Sequence, residues 1–237
     1  MSVITVSRQF GSEGDVVARK VAALLKYDYV DKELITEVAR RADVHPDEVR
    51  KFDERLESPI MRFLRRLIIP AGTYPITEIP EWTVFYEEPI ERMPIQDQKD
   101  YLKFIRTTIE QLWQRDNVVI VGRGGQVILR DKKDVFHVRI IAPLQHRLDV
   151  VMRQTGLNKP DAMKLIQKND KRQANFIRYC YNVDWDDSTL YHLIVNTGEM
   201  NTNLAAKCIT ESLLNFAKTD QIPENSGTYF WDSAALA

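Results

Sequence analysis

The 237-residue chain has two cysteines, Cys180 and Cys208, too far apart for a paired motif. That excludes a disulfide framework and a zinc ribbon, and it fits a reducing cytoplasm. No apolar run approaches the roughly 20 residues a membrane-spanning helix needs. The opening Met1-Ser-Val-Ile-Thr-Val6 has neither the basic segment nor the apolar core of a signal peptide. A basic excess is missing too: 33 Lys plus Arg face 34 Asp plus Glu, for a net charge of −1. Proteins that coat nucleic acid usually carry the opposite imbalance, so no nucleic-acid partner is expected, and no membrane. The four histidines lack metal-ligand spacing, and neither a G-x-S-x-G elbow nor a G-x-G-x-x-G fingerprint occurs.

What is present has a rhythm. Val3-Ile-Thr-Val-Ser7 reads as a β-branched strand, followed by a turn with Gly11 and Gly14. Val16, Val17, Val21, Leu24 and Leu25 then recur at helical spacing. A short strand at Tyr27–Asp31 and a helix at Lys32–Arg41 follow. Further on come a helix at Tyr101–Arg115 and the apolar strand Val118–Val121. After these are a strand at Val135–Ala142 and a helix at Leu144–Gln154. Asn158 and Pro160 signal the start of a polar helix reaching Tyr181. A last strand at His192–Asn196 and a helix at Thr202–Ala217 close the series. Strands alternating with helices in this way predict crossover units and a parallel sheet.

Between residues 46 and 100 the rhythm breaks. Seven of the ten prolines lie there, around an apolar stripe of Ile60, Phe63, Leu64, Leu67 and Ile68 that reads as a short helix packed on its own protein. The segment is expected to be an insertion covering something. After Lys218 the chain is polar as far as Tyr229-Phe-Trp231, a candidate docking element in a tail of residues 218–237.

Two loops are candidates for chemistry. Ser7-Arg-Gln-Phe-Gly-Ser-Glu-Gly-Asp15 joins the first strand to the first helix, where bare amides and the positive end of a helix dipole attract phosphate. The alternative is a plain tight turn. The ATP-binding loop pattern G-x-x-x-x-G-K-[ST] is not met, because Gly14-Asp15 stands where Lys-Ser/Thr is expected. The second loop, Val121-Gly-Arg-Gly-Gly125, would present Arg123 at the same sheet edge as a planar donor fork for phosphate oxygens. Lys164, Lys168, Lys171, Arg172 and Arg178 read as a solvated helix face. Asp184-Trp-Asp-Asp187 reads as a cap and turn rather than a metal site.

In order along the chain, Ile4-Thr-Val-Ser-Arg-Gln-Phe-Gly-Ser-Glu-Gly14, Tyr29-Val-Asp-Lys-Glu-Leu-Ile35, Val119-Ile-Val-Gly-Arg-Gly-Gly125, Ile141-Ala-Pro-Leu144 with Arg147, Asp170-Lys171, Asp184-Trp185, Tyr191 and Ile194-Val-Asn-Thr197 closely resemble the cytidylate kinase-like family. The resemblance covers residues 3–217 apart from the Pro-rich segment. It implies an α/β fold of the P-loop NTPase type, α/β/α in three layers with a five-stranded parallel sheet, forming one kinase-like domain over 1–217. It also implies an acceptor-binding insertion near 46–100 and a helical lid within 158–190. By the same resemblance the protein would be a nucleotide-binding phosphotransferase acting on ATP with Mg²⁺ and a nucleoside monophosphate, CMP by default. Gly11, Ser12, Glu13, Gly14 and Asp15 would surround the donor phosphates, and Asp15 would be positioned to hold Mg²⁺. Arg123 would hold a phosphate near the transfer point, and Lys171 and Arg172 would belong to the lid. Apart from the resemblance, Arg8 at the end of the first strand is close enough in sequence to reach into the loop that lacks the lysine and to stabilise phosphate there. The chain departs from authentic cytidylate kinases at Gly14 and Asp15, at Val121 where an aspartate is usual, and at Gln173 where the lid has an arginine. Those departures support the alternative of a non-catalytic nucleotide- or anion-binding regulatory protein.

Overall fold

A computed structural model describes residues 2–31 and 95–219. The expected helices at 32–41 and 60–68, all of the 46–100 segment except 95–100, and the aromatic tail lie outside the described residues.

The β-branched run becomes strand β1, Val3–Arg8, which alternates its side chains between two cores. Ile4 and Val6 face one side, packed with Val17, Ala18 and Val21 of helix α1 (Gly14–Leu25) and with Ala205, Ile209 and Leu213 of the last helix. Val3 faces the other side, with Val30 of β2 (Asp28–Val30) and with Ile105, Ile109 and Leu112 of α2 (Ile95–Arg115). Strand β3, Val118–Val121, is buried at all four positions, as an uninterrupted apolar strand between two helical layers must be. Large side chains with no exposed surface, such as Ile4, Ile120 and Ile140, each contribute about 1.5–3 kcal/mol to this core.

A single-turn helix α3 (Gly125–Ile128), strand β4 (Val135–Ile141) and helices α4 (Leu144–Thr155) and α5 (Lys159–Tyr181) follow. Strand β5 (Leu193–Asn196) and helix α6 (Thr202–Thr219) complete the chain described. The five strands are all parallel in the order β2-β3-β1-β4-β5. From β1 the chain crosses toward β2, and from β3 it crosses over β1 to β4. The order therefore reverses beside β1, and in such sheets ligands bind beyond the carboxyl ends of the strands there.

Helix α5 starts as its sequence predicts. The Asn158 side chain accepts from the Asp161 amide (3.0 Å), and Pro160 occupies the first turn. Helix α2 begins six residues earlier than its apolar period suggests, immediately after Pro94. Its polar opening Ile95-Gln-Asp-Gln-Lys-Asp carries no period to read. Asp187 caps the short 3₁₀ turn Ser188–Leu190 by accepting from the Thr189 amide, in keeping with the cap-and-turn reading. Among the described residues no helix is long and apolar enough to cross a membrane.

Candidate functional site

Strand β1 ends at Arg8, and the next five residues turn the chain into α1. Gln9 anchors the turn to the neighbouring strand end: its amide donates to the Ile140 carbonyl (3.0 Å), and its side-chain oxygen accepts from the Ala142 amide (3.1 Å). Gly11 has φ +79°, and a Cβ there would lie 2.9 Å from Val151 Cγ2 and 3.0 Å from the Arg147 carbonyl. Conformation and space both demand glycine at this bend. Ser12 is fully buried, and its hydroxyl donates to the loop's own Gln9 carbonyl (2.8 Å). Glu13 is left-handed (φ 57°), and its side chain makes no cap at the start of α1; it lies 3.4 Å from His146 Nε2 instead. The amides opening α1 therefore receive no side-chain cap from their N-cap residue, the condition under which a helix start attracts an anion.

Arg8 and Asp15 meet across this loop, with Nε donating to Oδ1 at 2.9 Å and each side chain mostly buried. Asp170 of α5 comes from the far side: Oδ1 accepts from the Phe10 amide (3.0 Å), and Oδ2 pairs with Arg147 Nη1. The same Arg147 nitrogen reaches the Phe10 carbonyl at 3.3 Å. A cleft of about 50 Å³ remains, lined by Arg8, Gln9, Phe10, Asp15, Asn169, Asp170 and Gln173. Asn169, Asp170 and Gln173 share a face of α5. Lys171 is turned to solvent and Arg172 is half-buried, and neither lines the cleft.

The second glycine loop folds around Arg123. Gly122, Arg123 and Gly124 all have left-handed φ (82°, 53° and 75°). The Arg123 guanidinium lies 5.7 Å from the Tyr101 ring and 5.6 Å from the Phe176 ring, and the residue is only 8% exposed. Tyr181 donates its hydroxyl to the Arg123 carbonyl (2.9 Å). Burial pushes the ionisation of that hydroxyl up, so it stays a donor. Arg123 is not among the residues lining the cleft beside Arg8.

Sequence reading named Arg8, Gly11, Ser12, Glu13, Gly14 and Asp15, and the fold gathers them into one loop. It did not place Gln9, Arg147 or Asp170 in the site, although all three hold that loop in position. Arg139 was also missed. It sits on β4 against the Trp185 ring (4.4 Å) and the Tyr191 ring (5.3 Å), bonded to the Trp185 carbonyl and the Asp186 carboxylate. Trp185 Nε1 in turn donates to Ser7 Oγ (2.8 Å), which fixes the residue preceding Arg8. A charged residue inside the run Val135–Ile141, apolar apart from it and His137, was the available signal.

The Asp170 clamp is open to a direct test. Asp170→Asn removes the charge facing a 92%-buried Arg147 while leaving an acceptor for the Phe10 amide. It is expected to lower unfolding free energy by about 1.5 kcal/mol, the low end for a charge-assisted bond because Asp170 is itself partly exposed. Urea denaturation measures it, and an unchanged midpoint would mean the clamp does not hold the loop.

The model of the cytidylate kinase-like family matches residues 3–199. A cytidylate kinase from Ignicoccus hospitalis is 27% identical over 125 residues, covering 53% of this chain and 72% of that enzyme. One from Methanocaldococcus jannaschii is 22% identical over 110 residues, covering 46% and 62%. A uronate isomerase from Corynebacterium glutamicum is 28% identical over 97 residues; the match covers 41% of this chain but only 19% of that protein. Among solved structures, an uncharacterized protein from Eubacterium ventriosum superposes with a TM-score of 0.62 at 23% identity, over 90% of this chain and 98% of its own. That likeness establishes a shared fold.

Proposed function

This chain belongs to the cytidylate kinase-like family, and from that premise we propose that it binds ATP beside Arg8 and transfers the terminal phosphoryl group to a nucleoside monophosphate, CMP in the first instance, in the cytoplasm. The observation carrying the proposal is the loop 8–15. It bends through left-handed Gly11 and Glu13, opens α1 without a side-chain cap, and has a guanidinium across it. The loop fits a polyphosphate: Gly11, Ser12, Glu13, Gly14 and Asp15 supply backbone around it, and Arg8 supplies positive charge. For the metal, Asp15 is the ligand in reach, and among the described residues no group of three ligating side chains forms. One carboxylate completed by phosphate oxygens and water suits Mg²⁺, which rarely has an all-protein cage. When bound, Mg²⁺ would supply charge neutralisation at the phosphates.

In the transfer, an oxygen of the acceptor phosphate forms a bond to the terminal phosphorus as the bond to the bridging oxygen of ADP breaks. No covalent protein intermediate is needed. Arg8 and Arg123 would meet the spreading negative charge, and Lys171 and Arg172, next to Asp170 on α5, would belong to the closing lid. The 46–100 segment would orient the acceptor.

A second reading, a regulatory protein that binds the anion without turnover, is favoured by the Arg8–Asp15 ion pair and by Gln173 in the cleft wall. Coupled turnover with ATP, Mg²⁺ and a panel of monophosphates separates the two. Product formation supports the kinase, and binding across the panel with no product supports the regulator. The metal assignment gives its own prediction: Mg²⁺ should tighten ATP binding about tenfold in the native protein and much less in Asp15→Ser. Equal gains from metal in both proteins, measured by calorimetry, would remove Asp15 from the site.

A further inference from the structure

Laid on residues 8–15, the pattern G-x-x-x-x-G-K-[ST] puts Arg8 at its first glycine and Gly14 at its lysine. The cation and the glycine have exchanged places within one loop. Conformation does not explain the glycine, because Gly14 is absent from the residues with left-handed φ. Space explains it. A Cβ on Gly14 would lie 2.4 Å from Arg8 Cβ and 2.7 Å from Arg8 Cγ, so the Arg8 stem occupies the volume into which a side chain at position 14 would project. The guanidinium beyond that stem is steadied by Asp15, which stands where the pattern has Ser or Thr.

We infer that Arg8 is the phosphate-contacting cation of this loop in place of the lysine, delivered from the end of β1 rather than from α1, and that Gly14 is glycine because any side chain there would evict it. The pair is a reciprocal exchange, so neither residue can be restored to the usual pattern alone. A loop without its lysine then keeps one positive charge beside the opening amides of α1. That charge has the planar geometry of a guanidinium, which can take two phosphate oxygens at once. The inference rests on the nucleotide-binding reading above and specifies which group makes it possible.

The test is a thermodynamic square on the whole chain: native, Arg8→Gly, Gly14→Lys, and the double variant Arg8→Gly/Gly14→Lys; glycine is the residue to use at position 8 because both the Cβ and the Cγ of Arg8 crowd position 14. Calorimetry with Mg²⁺ and inorganic tripolyphosphate gives affinity, and thermal unfolding gives Tm. Arg8→Gly is expected to weaken binding about tenfold or more, the loss of one charged contact. Gly14→Lys is expected to lower Tm by about 5 °C and to weaken binding as well. The double variant should recover Tm to near that of Arg8→Gly and bring binding back to within about threefold of the native protein. Should Gly14→Lys fail to fold, Gly14→Ala with and without Arg8→Gly carries the steric half, and the Lys-containing double variant carries the binding half. A double variant no better than its singles overturns the exchange. So does native affinity that Arg8→Gly leaves unchanged, with the nucleotide-binding reading intact. A native protein that takes up no tripolyphosphate and no ATP overturns that reading itself, and the inference falls with it.

Discussion

Gly124→Ala is expected to destabilise the protein by about 3 kcal/mol, because two penalties fall on one methyl group. The residue has φ +75°, a conformation that costs alanine on the order of 1 kcal/mol. The added Cβ would also lie 2.2 Å from Tyr181 Cε2 and 2.8 Å from Cζ. Tyr181 cannot step aside cheaply. Its hydroxyl is bonded to the Arg123 carbonyl, and its ring meets Phe176 edge-on at 6.1 Å. Relief would pull the end of α5 away from the loop that presents Arg123. Chemical denaturation of Gly124→Ala, Tyr181→Ala and the double variant tests this. In the Tyr181→Ala background the glycine substitution should cost only the backbone part, about 1 kcal/mol. A loss below 1 kcal/mol with tyrosine present would show that the contact yields easily.

The second large effect concerns pH. His137 lies on β4, 3% exposed, with Nδ1 2.7 Å from Thr5 Oγ1 and its ring stacked on His192 at 5.0 Å. Burial, and then the charge of His192, lower its pKa from 6.5 to about 4. In the folded protein it is therefore neutral at pH 6, while in the unfolded chain it has begun to take up a proton. Between pH 6.5 and about 4 the unfolded state binds more protons, so stability is complete above that window and is lost as pH falls through it. The separation of the two values corresponds to about 3 kcal/mol at the acid end. His192, whose pKa burial also lowers, adds a loss of the same sign. Urea midpoints from pH 7.5 to 4.5 should fall less steeply for His137→Gln than for the native protein. Parallel curves would mean the buried imidazole is not what acid attacks.

Burial pattern was the most legible part of this fold. The unbroken Val118–Val121 run called for a strand covered on both sides, and the glycines of both loops marked where the backbone turns back at the sheet edge. Asn158 with Pro160 announced a helix start, and the structure has the helix begin there with Asn158 as its cap. The partners of charged groups were not legible. Asp170 reaches the amide of Phe10 across 160 positions, and Arg139 is enclosed by Trp185 and Tyr191 from a loop some fifty residues on. Asp170 is a lone acid within a basic run, and nothing in that run says which residue faces inward; the rotation of α5 on α4 turns Asn169, Asp170 and Gln173 to the cleft and Lys171 to solvent.

The amino-acid sequence by itself determined the parallel α/β architecture and the two glycine-bent loops at one sheet edge, because hydrophobic period and backbone freedom are local properties that each segment carries alone. Tertiary structure decided the strand order, which charges face each other, and that Arg8 fills the space above Gly14. Those depend on how separate elements are rotated and stacked, and only close packing of the whole core sets that.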